Sequence, residues 1–449
     1  MNFWKDKIFL KSMLAIAIPI ALQNLITSSL NMVDTLMISS LGQSSIAAVG
    51  LANQIFFFYI LITFGINSGS SIFISQYWGK KDILNIRKVL GISISLSTFT
   101  GIIFTVAAFF FPELLMGLFI KEPMVIKLGS EYLKIVSLSY IITAIGFSYS
   151  IALRSTGRPK VPMKISAISF VTNTVFNYLL IFGKFGFPEM GVKGAALGTL
   201  IARIVELLFI LFAVYRSQGP LKASIKELFA WNKEFINRYL ITVWPVIVNE
   251  GFWSLGQVLY SVAYARIGEE ATAAVQLTIT IQNIFFVLFR GLANACAVLV
   301  GNKIGEGDKG EAYDYAMNFI VISALLGLGM GLIMAITPDL TLKIFRNLNP
   351  DLHATTKSLL IIMGLTFFIR TTNSTVIVGV LRGGGDTKFS MFLEMGSVWG
   401  IGVPLAFIGA LILKWPVEYV LLLVTSEELL KFLIGLPRVL SKKWIKELT

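Results

Sequence analysis

Leu153-Arg154, in the run Leu153-Arg154-Ser155-Thr156-Gly157-Arg158-Pro159-Lys160, returns as Leu381-Arg382 in the run Leu381-Arg382-Gly383-Gly384-Gly385-Asp386-Thr387-Lys388. The offset is 228 residues (381 − 153), and Gly157 and Lys160 recur at that spacing as Gly385 and Lys388. Phe187-Pro188 returns in the same way as Trp415-Pro416. Upstream the offset is 226: Pro19 recurs as Pro245, Gly42 as Gly268, Gly65 as Gly291, Gly79 as Gly305 and Asp82 as Asp308. The chain is therefore two related halves, each built of long apolar segments.

Composition sets the solvent. Hydrophobic residues make up 55% of the 449 and charged residues 14%, with a mean hydropathy of +0.78. A soluble domain carries about 25% charged residues. The formal charge of +13 suggests nucleic acid in a soluble chain; here it points instead to basic loops on one face of a bilayer. No nucleic-acid partner is expected, and membrane lipid is. With one Cys (Cys296) and one His (His353), no intrachain disulfide and no Cys/His metal cluster is possible, and nothing in the sequence looks like a His-dependent triad. The alternative from a different class, an integral membrane enzyme, would want a His/Asp cluster or a Ser/Lys pair at bilayer depth, and the single His in a loop speaks against it.

A spanning helix needs about 20 mostly apolar residues. Twelve stretches qualify as candidates: 12–39, 46–76, 87–111, 127–153, 161–182, 191–214, 239–265, 271–301, 314–337, 355–381, 389–412 and 416–438. The first follows Lys5, Lys7 and Lys11 and is too long for a cleaved signal, so it reads as a retained helix. The fold class is an all-α polytopic membrane protein. Residues 1–214 form the first six-helix lobe, 215–238 a polar linker, and 239–449 the second lobe with a short basic tail.

Charge orients the chain. One set of loops holds Lys80, Lys81, Arg87, Lys88, Arg154, Arg158, Lys160 and Lys164, then the linker, and then Lys303, Lys309, Arg382, Lys388, Lys442, Lys443 and Lys446. The other set is poorer: Lys121, Lys184, Lys193, Arg266, Lys343, Arg346 and Lys414. Basic loops stay in the cytoplasm, which places both termini and the linker on the cytoplasmic side of a cell membrane. Parallel repeats of this kind are typical of secondary transporters.

Several motifs carry a family likeness. They are Pro19-Ile-Ala-Leu-Gln23-Asn24, Asn31-Met-Val-Asp34-Thr35, Gly65-Ile-Asn67-Ser68-Gly69, Gln76-Tyr77-Trp78-Gly79-Lys80, Asn173-Thr-Val-Phe-Asn177, Gly191-Val-Lys-Gly194, Trp244-Pro245-Val-Ile-Val-Asn249-Glu250 and Leu381-Arg382-Gly383-Gly384-Gly385-Asp386-Thr387. In this order, over nearly the whole chain, they resemble the multidrug and toxic compound extrusion (MATE) family. The resemblance implies twelve helices in two six-helix lobes around a V-shaped central cavity. It also implies export of organic, mainly cationic compounds in exchange for Na⁺ or H⁺. Asp34 matches the family's first-helix acid, linked there to cation coupling, and Asn173 with Asn177 match a polar pair on the fifth helix. In one branch the second of these is Asp. Glu250 lies on the seventh helix, but the family's acid there falls about a turn later, at Trp253.

The residues support similar roles unaided. An ionised carboxylate at the bilayer centre costs on the order of 3 kcal/mol, so Asp34 marks a functional position. Asn31, Asp34 and Thr35 share a helix face, and such oxygens suit Na⁺; a lone acid suits H⁺ equally. Asp34 is the one metal-ligand candidate. Glu250 and, two turns on, Gln257 face together, with Asn24 at the repeat-equivalent position of Glu250 (250 − 24 = 226). The bland alternative for Glu250 is an ion pair with Arg290 or Arg370. Gln54 and Asn283 are further polar candidates for a cavity wall, although interhelical hydrogen bonding accounts for such residues too. Arg203 and Glu206 should pair with each other. Phe56-Phe57-Phe58-Tyr59 reads as lipid-facing. A lipid-linked oligosaccharide flippase of the related superfamily is the alternative within transport. It calls for several basic side chains at membrane depth, where the sequence reading counts few charges and two acids. No cofactor is expected beyond the coupling ion, and the chain is expected to act as a monomer on small organic cations.

With Cys296 removed, single cysteines at Gln43, Lys80 and Lys226 test the orientation. An impermeant thiol reagent applied to intact cells should label the first and spare the other two. Labelling at Lys226 from outside overturns the topology.

Overall fold

The computed structural model describes residues 7–343, 345 and 349–449. Lys5 and Arg346, both used in the sequence reading, lie outside the described residues. The described chain is helical throughout, with no strand. Its long helices are α1 (Lys7–Ser39), α2 (Gln43–Gly79), α3 (Ile83–Phe110), α7 (Lys160–Phe182), α8 (Val192–Arg216), α10 (Lys233–Ile267), α11 (Glu269–Gly305), α12 (Lys309–Ile336), α14 (Pro350–Ser374), α15 (Thr387–Ser397) and α17 (Val417–Leu440). The short helices α4 (Pro112–Gly117), α9 (Ile225–Leu228) and α13 (Pro338–Leu342) are connectors. α14 runs on through a π-helical segment, Thr375–Arg382, and α15 through two more, Val398–Gly402 and Ile408–Ile412, separated by α16 (Val403–Phe407).

The fourth expected segment is two helices, α5 (Pro123–Val136) and α6 (Leu138–Ser155), bent by 47°. The Thr105 hydroxyl donates to the Ser137 carbonyl at 2.8 Å, and a side chain inserted into the helical ladder is a recognised cause of a kink. Among the described residues nine helices are long and apolar enough to cross a membrane, ten if the bent pair is one span. α10 and α17 do not meet that measure; they carry Glu250 and the group Glu427, Glu428 and Lys431.

By compactness the chain divides within helices and not at the connector 217–232. One unit is Leu22–Ile247; the other is 7–21 with Val248–Thr449. The changes of unit, after Ala21 in α1 and after Ile247 in α10, are themselves 226 residues apart (247 − 21). Each follows by two residues a proline inside its helix, Pro19 or Pro245. The repeated glycines explain the packing. In the first unit a Cβ on Gly65 would lie 2.8 Å from the Ile247 backbone; in the second, one on Gly291 would lie 2.7 Å from the Ala17 carbonyl and 3.0 Å from the Ala21 Cβ. Only a glycine lets the helices come this close.

The first unit is organised around Tyr59, whose ring stacks on Tyr140 with centroids 5.1 Å apart and whose hydroxyl donates to the Tyr140 carbonyl at 2.7 Å. Tyr59 is thus buried, while Phe57 and Phe58 are exposed, so the aromatic run does not face one way. Asn67 donates to Ser97 Oγ and accepts from Ser93 Oγ, joining α2 to α3 by hydrogen bonds. The connector docks on α3. Arg87 donates to the Pro220 carbonyl and pairs with Glu227 at 2.5 Å. Hydrogen bonds from the Ser224 backbone and hydroxyl, ahead of the Arg87 charge, hold the Glu227 carboxyl below its usual range.

In the second unit Phe9 packs edge-on to Tyr315 and Phe319. The basic tail folds back on the turn Gly383–Gly385. Trp444 is fully buried against Gly384, and Asp386 holds Arg438 at 2.8 Å and Lys446 at 2.5 Å.

Candidate functional site

Asp34 lies on the C-terminal part of α1, half-buried in the first unit. One carboxylate oxygen accepts from Asn177 Nδ2 at 2.7 Å. The same nitrogen donates to Asn173 Oδ1 at 3.1 Å, and Asn173 Nδ2 donates to Thr199 Oγ1 on α8 at 3.3 Å. Asn173 and Asn177 are four apart, so both amides leave α7 on one face. Gly198 lets α8 close over them, because a Cβ there would collide with Asn177 Oδ1. Arg203 is held by Glu206 at 2.7 Å, as their spacing predicts, so no base pairs directly with Asp34 among the described residues. Two acceptors stand open: the second Asp34 oxygen makes no hydrogen bond among the described residues, and Asn177 Oδ1 is buried without a partner. A buried acceptor left unpaired is costly, and a cation or a proton beside it removes that cost. The donor set of carboxylate, amide and hydroxyl oxygens fits a hard monovalent cation or a proton. No group of three or more His, Cys, Asp and Glu placed to hold a metal ion occurs among the described residues.

The structure thus joins Asp34, Asn173 and Asn177 and adds Thr199. Asn31 and Thr35 lie exposed beside Asp34, and the Thr35 hydroxyl bonds to the Asn31 carbonyl of its own helix at 2.8 Å. Gln54 and Asn283 are exposed, while Asn24 and Gln257 are half-buried. Within the first unit, neither Asn24 nor Gln54 hydrogen-bonds to the Asp34 cluster.

Glu250 belongs to a different network. Its partner is Arg382, at 2.6 Å, and neither Arg290 nor Arg370. Arg382 also holds Glu394 at 3.0 Å, and Asn249 Nδ2 donates to Glu394 at 2.5 Å. The Arg382 side chain is 4% exposed. The first unit keeps the same framework with neutral partners. Arg154 donates to Gln23 Oε1 at 2.6 Å, and Gln23 donates to Ser166 Oγ at 2.9 Å. Repeat offsets link Arg154 with Arg382 (228), Gln23 with Asn249 (226) and Ser166 with Glu394 (228).

Sequence reasoning counted two membrane-depth acids, and the helices carry more. Glu394, Glu427 and Glu428 lie in apolar segments as Asp34 does, and that signal was available for them. Thr199 and Gln23 had no signal of their own beyond polarity.

The MatE family profile matches residues 19–179 and 245–408, two copies whose starts are 226 apart. A Bacillus subtilis (strain 168) protein, the uncharacterized transporter YisQ, is 27% identical over 442 residues, 98% of this chain and 96% of that one. The probable multidrug resistance protein NorM of Thermotoga maritima is 27% identical over 89% of this chain and 85% of its own. Among solved structures, a multidrug resistance MATE family transporter of the MOP superfamily, in an outward-facing conformation, matches with a TM-score of 0.87 over 96% of each chain at 20% identity. A MOP superfamily transporter from Pyrococcus furiosus Vc1 matches with a TM-score of 0.86. The solved structures establish the fold.

The Arg382 network predicts an order of stability. Arg382→Leu strands two carboxylates and should cost about 3–5 kcal/mol, whereas Glu250→Gln leaves Arg382 with Glu394. Thermal unfolding in detergent should therefore fall much further for Arg382→Leu. Equal melting temperatures for the two variants exclude the shared-guanidinium arrangement.

Proposed function

The chain belongs to the MatE family of membrane transporters, and from that premise we propose that it is a secondary active multidrug exporter. It moves organic, mainly cationic compounds out of the cell in exchange for inward Na⁺ or H⁺, by alternating access. Twelve spans, with both termini and the connector in the cytoplasm, complete this reading. The observation that carries it is Asp34. It is a carboxylate in an apolar helix, hydrogen-bonded to the Asn177 amide and in direct contact with no base among the described residues, beside an acceptor oxygen that has no partner.

The cycle follows from that geometry. An incoming cation or proton neutralises Asp34 and engages Asn177 Oδ1, so the Asn177 side chain reorients within the chain of bonds to Asn173 and Thr199. α1 and α7 then hold together differently in the loaded and empty states. The ion drives the exchange only through its different affinity for the two states. A drug favouring the opposite state is displaced, and by linkage the drug weakens ion binding by the same factor.

Purified protein in proteoliposomes, loaded with a cationic dye, should move the dye uphill under an imposed Na⁺ or H⁺ gradient. Asp34→Asn should insert and fold normally yet lose about tenfold or more of gradient-driven flux, because neutralising the acid removes its differential affinity for the ion. Wild-type flux in that variant removes Asp34 from the mechanism, and no gradient-driven flux in the wild type removes the export reading.

A further inference from the structure

The repeat that relates the halves also relates the Asp34 site to a cluster in the second unit. At offset 226 Asp34 corresponds to Tyr260 on α10; at offset 228 Thr199 corresponds to Glu427 and Arg203 to Lys431, both on α17. In the first unit the acid sits on the first helix of the repeat and the hydroxyl on the sixth. In the second unit they have changed places. Asp34 and Thr199 are joined through Asn177 and Asn173; their equivalents meet directly, and Tyr260 Oη donates to Glu427 Oε2. Lys431 Nζ lies 3.2 Å from both Glu427 Oε1 and Glu428 Oε1, and Asn373 Nδ2 donates to Glu428 Oε2 at 2.7 Å.

Two further observations mark this cluster as more than an ion pair. Gly402, which a Cβ would drive into both Tyr260 Oη and Glu427 Oε2, is the last residue of the π-helical segment Val398–Gly402. Single π turns inside helices are found frequently at functional sites. Asn373 Oδ1 is buried without a partner beside Glu428, as Asn177 Oδ1 is beside Asp34.

We propose that Glu427, with Tyr260, Glu428 and Lys431, is a second proton-exchange site, the repeat-equivalent of the Asp34 site. The role in coupling rests on the export reading; the titration does not. A proton is the fitting ligand, because Lys431 already occupies the space a metal ion needs. Glu427 takes a proton from water to become a carboxylic acid, and its new O–H donates to Tyr260 Oη, which changes from donor to acceptor. Lys431 is then released to Glu428 alone. On the return step the proton leaves to water and the Lys431 bridge reforms. The other groups facing the site are Tyr264 from α10, Arg370 from α14, hydrogen-bonded to Gln282 at 2.8 Å, and Glu394 from α15, already held by Arg382.

Infrared difference spectra of the full-length protein in lipid, recorded as pH is stepped, read this directly through the carbonyl stretch of a protonated carboxyl. Wild type should show a component that is lost in Glu427→Gln and kept in Asp34→Asn. Tyr260→Phe removes a hydrogen bond to the charged form and should move that component's midpoint to higher pH by about half a unit or more. If Glu427→Gln fails to fold, Tyr260→Phe still decides. An unchanged spectrum in a folded Glu427→Gln, or an unmoved midpoint in Tyr260→Phe, overturns the site. A Glu427 component in a protein that moves no dye upholds the site and removes the export reading.

Discussion

A charge buried in an apolar helix must be compensated by groups within reach, because hydrocarbon supplies none. The polar architecture of both units follows from this constraint. Arg382 is held by two carboxylates, Lys431 bridges two more, and Arg203 is closed by Glu206 at 2.7 Å. Asp34 is different. Its direct partner is a single amide donor with a chain of neutral groups behind it, and the Arg203 charge, already paired with Glu206, acts on it only through space. A carboxylate held this way has attraction left for a mobile cation, whereas Glu250 and Glu394 have spent theirs on Arg382. The difference between a structural acid and a candidate coupling acid is therefore a difference in partner.

The two halves share a framework and differ in chemistry. Proline and glycine positions repeat because backbone geometry repeats: Pro19 and Pro245 precede the points where α1 and α10 change unit, Gly65 lets α2 approach α10 closely, and Gly291 lets α11 approach α1. Arg154 and Arg382 repeat as well, but Gln23 and Ser166 answer the first while Asn249 and Glu394, with Glu250, surround the second. A duplicated scaffold preserves where a polar network lies and leaves its charge free to diverge. That freedom allows one half to present an amide-compensated acid and the other a bridged pair of acids.

Much of this was legible in the sequence because length, apolarity and repetition are one-dimensional signals. The membrane class and the long helices came from them; Asp34 stood out as a carboxylate in an apolar run, and Asn173 and Asn177 through the family resemblance. The bend at Ser137 was not legible: it depends on Thr105 reaching from another helix. The partner of Glu250 was missed for a related reason. Arg382 lies at the end of a π-helical segment, where residue spacing no longer predicts the direction of a side chain. Glu427 and Lys431 were readable as i and i+4 on one face. Their meaning appears only when the repeat is laid over the contacts, with Tyr260 standing where Asp34 stands in the other half.

The central claim is that ion and drug exclude each other through Asp34, and equilibrium binding tests it without transport. The dissociation constant of a fluorescent cationic dye for the purified protein can be measured across Na⁺ concentration and across pH. In the wild type it should rise with one of the two ions, and in Asp34→Asn it should be flat. A wild-type dye affinity indifferent to both ions contradicts the account.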